Sequence, residues 1–365
     1  MSASMLLYQI APKPAPDYTA AKTQRQKQRA AGLHPDYWYP ALWSHELGRG
    51  QVKEVVFWKR SFAVFRGQDG VVRALENRCA HRQLKLSLGN VEGCELTCAY
   101  HGWTFDGGGQ CTHIEHSLFG HKMPNVKIQS FPVQERYGII FMFPGNPDLT
   151  DEHALPEIPE WDGNSGWGKI PADFQWNAHH SIIIDNTCDF THAYLHRDKR
   201  PFTYAELKNL STEGDAVDLE YDTRVGDTRL QRLFVNQKTT NTNAMKLGYR
   251  YPYQWSSTDD KIKHWCFVLP MDERTTRAFF LFYFSPETVR IPGVPFRLPK
   301  AIVNAVMPVA KRLFVTPLLD QDRMAVEAEQ EGYDKHWDKP VPDLNPVPQA
   351  FMQLTIRKWE EYLAG

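Results

Sequence analysis

Three metal-binding side chains recur at one-turn spacing within residues 185–196. His192 and His196 are four residues apart, and Asp189 lies three before His192. If the stretch is helical, all three share one face. Two imidazoles and a carboxylate, with coordination positions left open, suit a non-haem Fe(II) that binds O₂. Alone, the pattern also fits two ordinary histidines. A second set of donors lies upstream. Cys79-Ala80-His81 is followed, after sixteen residues, by Cys98-Ala99-Tyr100-His101. Each motif puts one thiolate and one imidazole on a tight loop, and Gly89, Gly93 and Gly102 give those loops freedom to bend. Two Cys on one iron and two His on the other would hold a [2Fe–2S] cluster of raised potential. A structural Cys₂His₂ zinc site uses the same donors. Zinc modules usually pair Cys with Cys and His with His, so mixed loops favour the cluster. Cys94, Cys111, Cys188 and Cys266 have no such partners and read as packing residues.

The elements that must carry these donors divide the chain. Residues 1–36 read as a lead-in, in which the basic polar run Lys22–Arg29 is expected to form a solvent-facing helix. Residues 37–150 read as a small antiparallel β domain. Val52–Trp58 and Ser61–Arg66 are strands, Gly67-Gln68-Asp69-Gly70 is a turn, and Val71–Leu75 returns. Glu95–Ala99 and Gly138–Phe143 are further short strands, the last stopped by Pro144-Gly145-Asn146-Pro147. From 151 to 365 an α+β domain is expected. Phe174–Ile184 reads as a strand leading into the 185–196 helix, which places His179 and His180 on opposite faces of that strand. Arg229–Gln237, Ala244–Tyr253, Lys261–Leu269 and Thr276–Phe284 read as a second sheet, and helices are expected at 299–314, 318–332 and 348–362.

Composition bounds the function. The 42 basic and 43 acidic side chains nearly cancel, so no global field draws nucleic acid or an anionic membrane. No apolar run is long enough to span a bilayer. Six cysteines and a poor match to a signal peptide suggest a reducing compartment, with the cytoplasm as the default. No G-x-G-x-x-G fingerprint is evident, so nicotinamide and flavin chemistry is expected on another chain.

Cys-x-His, sixteen residues and Cys-x-x-His-Gly-Trp, with Asp-x-x-His-x-x-x-His downstream, together resemble the terminal oxygenase (α) subunits of the Rieske non-haem iron oxygenases. The likeness runs from about Tyr37 to the helix near 318–332. It implies an N-terminal antiparallel β Rieske domain and a C-terminal helix-grip catalytic domain. The cluster would sit on Cys79, His81, Cys98 and His101, and a mononuclear Fe(II) on His192, His196 and a late carboxylate. Asp322 matches the family's position for that third ligand, with Asp320 as the alternative and Glu327 and Gln330 near it. Asp189 would then not be a ligand. Its matching role is to bridge an iron-ligand His and a cluster His of the neighbouring subunit. Two departures stand out. Three residues separate the iron histidines instead of the more common four, and this run, Thr191–Asp198, is most similar to carbazole-dioxygenase-like ring hydroxylases. Asp185 occupies a place where ring dioxygenases often have Asn.

The resemblance implies an oxygenase component using O₂ and NAD(P)H electrons, delivered by a ferredoxin and/or reductase. It would hydroxylate an aromatic or heterocyclic compound and form a homotrimer. An O- or N-demethylating monooxygenase is the alternative within the class. A non-enzymatic iron–sulfur carrier is the alternative outside it, and it leaves the Asp189–His192–His196 set unused.

Overall fold

The computed structural model describes residues 14–114, 125–163, 165–198, 204–224, 244–288, 300–342 and 344–365. The lead-in ends in a short helix, α1 (Gln24–Ala30), started by a capping box in which Thr23 and Gln26 satisfy each other's backbone N–H groups. The expectation of a solvated basic face is corrected here. Gln26, Gln28, Arg29 and Ala30 are buried, and the helix docks on the last helix of the chain.

The β domain holds three small sheets. One joins β1 (Tyr39–Trp43), β11 (Ile139–Met142) and β10 (Val133–Arg136). A second joins β2 (Gln51–Phe57), β3 (Arg60–Arg66), β4 (Val72–Glu76) and β9 (Ser130–Phe131). The third joins β5 (Asn90–Glu92), β6 (Glu95–Thr97), β7 (Thr104–Phe105) and β8 (Cys111–His113). The β2–β3 hairpin turns on Trp58 and Lys59, both left-handed at φ 44° and 65°, as a two-residue primed turn requires. The Cys79–His81 loop lies between β4 and β5, and the Cys98–His101 loop between β6 and β7.

The C-terminal domain is built on a seven-stranded antiparallel sheet. Its order is β12 (Gly168–Trp176), β18 (Thr276–Phe284), β17 (Ile262–Pro270), β16 (Tyr253–Thr258), β15 (Ala244–Arg250), β14 (Ala216–Arg224) and β13 (Tyr204–Glu213). Alternation sends Phe279, Leu281 and Tyr283 to one face, where they pack on Trp38, Trp43, Phe141 and Phe143 of the β domain. Ala278 and Phe280 face the other way, into the core shared with the helices. Covered on both sides, the central strands carry long apolar runs. β13 and β14 were not anticipated; β13 is mostly polar and exposed, but in β14 Val217, Leu219, Tyr221 and Thr223 alternate with less buried residues, a strand signal that was readable and missed. The expected strand Arg229–Gln237 lies outside the described residues.

Two expectations about the iron stretch are corrected. Phe174–Ile184 is not one strand, because β12 stops at Trp176 and α2 (His180–Cys188) begins four residues later. Both histidines of that junction are buried, and both rings meet the carbonyl of Ala31, at 3.0 Å for His179 and 2.8 Å for His180. Nor is 185–196 one helix. α2 ends at Cys188, Phe190–His192 is a single 3₁₀ turn, and His196 follows in a further turn. After the sheet come α3 (Lys300–Ala310), a π turn (Lys311–Val315), α4 (Thr316–His336) and α5 (Pro346–Ala364). Pro308, which lacks an N–H, precedes that π turn.

Candidate active site

The two cysteine loops have one plan. The N–H of Cys79 donates to Leu84 O at 2.8 Å, and Gln83 N–H returns to Cys79 O at 2.9 Å. In the second loop Cys98 N–H donates to Trp103 O at 2.8 Å, and Gly102 N–H to Cys98 O at 3.1 Å. The residue four after each Cys is left-handed, Gln83 at φ 61° and Gly102 at φ 66°. A Cβ on Gly89 would stand 2.1 Å from Thr97 O, so only glycine lets these segments meet. Both cysteines are buried, and the Cys79 thiol is pushed up to about 11, first by burial and further by the adjacent Cys98. Outside them the rings of His81 and His101 lie 4.5 Å apart, and Trp103 stacks on His81 at 4.9 Å. Tyr100, beside His101, is exposed. Sulfurs inside and imidazoles at the surface fit a two-iron cluster with unlike ends better than one tetrahedral ion.

The second donor set converges from two elements. Leu319, Asp322, Val326, Gln330 and Tyr333 form the buried stripe of α4, a helical period that turns Asp322 inward. Asp320 lies on the other side, exposed and paired with Arg323 at 3.4 Å. Asp322 Oδ1 is 3.2 Å from His196 Nε2 and 3.7 Å from His192 Nε2. One donor atom from each of the three lies within 4.8 Å of the others, and the group has space for a single ion. Breaking the helix at Cys188 lets the histidines reach this point without an i,i+4 helical relation.

Neighbours orient each of the three side chains. His196 Nδ1 meets Gln321 Oε1 at 3.0 Å, and Asn186 Nδ2 donates to Asp322 Oδ1 at 3.4 Å. The His192 ring bonds the main-chain carbonyl of Asp189. Hydrogen bonds of this kind fix the tautomer and ring plane of a metal-binding imidazole. Burial lowers the pKa of His192. At His196 burial also acts downward, but the Asp322 hydrogen bond and charge outweigh it and raise the pKa. Two imidazoles and one carboxylate, leaving positions open, fit Fe(II).

Asp189 caps the 3₁₀ turn, with Oδ1 accepting from Thr191 N at 2.8 Å and Oδ2 from Asn345 Nδ2 at 2.8 Å. It lines an open cavity of about 610 Å³ together with Arg29, Asp185, Asn186 and His192. At its wall Arg29 pairs with Asp185 at 3.1 Å and Glu329 at 2.9 Å. Glu327 and Gln330 accept the free N–H groups of Asn177 and His179, both at 2.9 Å, at the start of α2. Arg29, Asn186, Gln321 and Asn345 were not singled out from sequence. They are isolated polar residues that only tertiary contacts bring to the site.

The chain matches the Rieske [2Fe-2S] domain over residues 37–128 and the vanillate O-demethylase oxygenase C-terminal domain over residues 176–365. It is 41% identical over 341 residues to 4β-methylsterol monooxygenase of Methylococcus capsulatus, covering 93% of this chain and 92% of that one. It is 34% identical over 203 residues to the oxygenase component of dicamba O-demethylase of Stenotrophomonas maltophilia, 54% of each chain. The crystal structure of dicamba monooxygenase bound to dicamba superposes with TM-score 0.68 at 21% identity, over 92% of this chain and 99% of that one. NdmB of Pseudomonas putida CBB5 superposes with TM-score 0.68 at 19% identity, over 97% and 96%. A Rieske β domain joined to a sheet-and-helix oxygenase domain defines a terminal oxygenase. The chain belongs to the Rieske non-haem iron oxygenases, as the oxygenase component, with a [2Fe–2S] cluster and a mononuclear iron as its cofactors. Ferredoxin or reductase partners and a small organic substrate go with that family. No described helix is long and apolar enough to cross a membrane.

Proposed function

We propose that Cys79, His81, Cys98 and His101 hold the cluster, that His192, His196 and Asp322 hold the mononuclear iron, and that the protein is a monooxygenase acting on a methyl carbon of an apolar ring compound. One oxygen atom enters a C–H bond and the other leaves as water, with two electrons drawn from NAD(P)H. The observation that carries the reading is the convergence of His192, His196 and Asp322 in a chain that also holds the paired cysteine–histidine loops. The choice of a methyl carbon rests on relatives named as a methylsterol monooxygenase and an O-demethylase. Ring dioxygenation of an aromatic hydrocarbon, the other outcome open to this class, has no such support.

When bound, the cluster supplies single electrons and the iron activates O₂. The chain does the rest. Gln321 and the Asp189 carbonyl hold the two imidazoles with their Nε2 atoms inward. Asp189 lines the open cavity, where the exposed His81 and half-buried His101 of a neighbouring chain would dock in a homotrimer. We divide the chain into a lead-in (1–36), a Rieske domain (37–150) and a catalytic domain (151–365), working in the cytoplasm. The test is O₂- and NAD(P)H-dependent turnover with a surrogate reductase, on a panel of 4-methyl sterols, aryl methyl ethers and unsubstituted arenes. The reading requires a hydroxymethyl product from the sterol, or a phenol and formaldehyde from the ether as its hemiacetal breaks down; cis-diols from the arenes would overturn it.

A further inference from the structure

The helix that follows the large sheet is apolar on both of its sides. The inner side of α3, formed by Val303, Met307 and Ala310, is buried. It lies on the edge strand β12, so closely that a Cβ on Gly168 would stand 2.9 Å from Met307 Sδ and 3.0 Å from Val303 Cγ1. The outer side carries Ile302, Ala305 and Val309 at the spacing of one helix face, and Leu313 continues it into the π turn. Ile302, Val309 and Leu313 are 42%, 51% and 45% exposed. Ala305 is exposed as well. A helix that is apolar all round belongs inside a core or against lipid. This one has a core on its inner side only.

The charge around the outer face has one sign. From Thr288 to Leu319 the sequence has no acidic residue, whereas Arg290, Arg297, Lys300, Lys311 and Arg312 are basic. The near balance of the whole chain conceals this local excess. Beside Leu313, Arg312 is exposed and Lys311 half-buried. The next acid along the chain is Asp320, whose carboxylate is paired with Arg323 at 3.4 Å. Apolar carbon flanked by cations complements an apolar phase with an anionic skin, which is the surface of an anionic bilayer. A second copy packed on this face by two-fold symmetry would oppose like charges. At about 16 Å, α3 is too short to cross a bilayer and long enough to lie in the plane of its surface.

We propose that the outer face of α3 and the π turn, with Ile302, Val309 and Leu313 as apolar contacts and Lys311 and Arg312 as cations, docks the oxygenase on an anionic lipid surface. α3, the π turn and α4 form one continuous helical rod, in which Leu313 and Asp322 are about 13 Å apart along the axis. Docking therefore sets the lipid phase close to the candidate iron donors. It stands on the surface itself and does not depend on which compound is oxidised.

The test is co-sedimentation of the metal-loaded full chain with vesicles of phosphatidylcholine alone, and with vesicles that also hold about one-third phosphatidylglycerol. Wild type should bind the anionic vesicles about tenfold or more tighter, and rising salt should erase the difference. Leu313→Glu should weaken that binding about tenfold or more, because it sets a carboxylate against lipid. Lys311→Gln combined with Arg312→Gln should weaken it about tenfold by removing the attraction alone, with the apolar stripe intact. Iron content, sulfide content and sedimentation velocity should match wild type in both. Wild type that binds neither vesicle, or both equally, overturns the proposal without recourse to any variant. Either variant binding as tightly as wild type overturns it too. Dissociation of the wild-type oligomer by Leu313→Glu would show that another copy covers this face, and would equally overturn it.

Discussion

Asp322 separates a metal site from a pair of histidines. It is 7% exposed and sits 3.2 Å from His196, whereas Asp320, two residues away, points to solvent. Asp322→Ala should lose the mononuclear iron and reduce turnover by about a hundredfold or more, while the cluster's spectrum persists. Asp320→Ala should keep both. Iron analysis and electron resonance on the two variants check this. Gln321 acts one bond further out. Its carbonyl oxygen fixes the His196 tautomer, so Gln321→Leu should weaken iron binding by about 10–100-fold, read by chelator competition, with the fold unchanged.

Among the elements, α1 ties the lead-in to the site. Arg29 (5% exposed side chain) is held by Asp185 on α2, Ser181 and Glu329 on α4. Truncation takes the charge-assisted bonds from Asp185 and leaves it Gln28 Nε2, at 3.2 Å, as donor, so Arg29→Ala should cost about 1–3 kcal/mol in denaturant unfolding. Asp185 also gives a pH signature. Burial outweighs Arg29 and raises its pKa to about 7, so the folded state holds this proton more tightly than the unfolded chain. Its stabilising effect is complete below the usual value of 3.8 and is lost as pH rises to about 7. The melting temperature of Asp185→Asn should therefore gain on wild type from pH 5 to pH 8; a constant gap would contradict the assignment. These elements also show what the sequence made legible. The donor motifs and the antiparallel sheets were readable because local spacing and alternation encode them. The α4 stripe Leu319–Val326–Tyr333 could have decided between Asp322 and Asp320, since that period turns 322 inward and 320 outward. The helix break at Cys188 was not readable, because Asp189 caps the 3₁₀ turn with help from Asn345, far along the chain. Arg29 was misplaced for the same kind of reason, because nothing local announces a buried acid on another helix.

For the whole molecule, the tip formed by exposed His81 and half-buried His101 and the cavity lined by Asp189 are separate surfaces of one chain. Electrons passing between neighbours would join them. Co-expressing His101→Ala chains, which lack a working cluster, with Asp322→Ala chains, which lack the iron, should give mixed oligomers with turnover above either variant alone. Metal-loaded mixed oligomers without added activity would exclude that route. Metal and sulfide content shows whether one chain carries both centres. Two irons and two sulfides from the cluster, plus one iron on the proposed ligands His192, His196 and Asp322, would give three irons and two sulfides per chain. Wild type purified without oxygen should hold that ratio, and Asp322→Ala should hold two irons with two sulfides. A sulfide-free protein, or an iron count unchanged by Asp322→Ala, would contradict it.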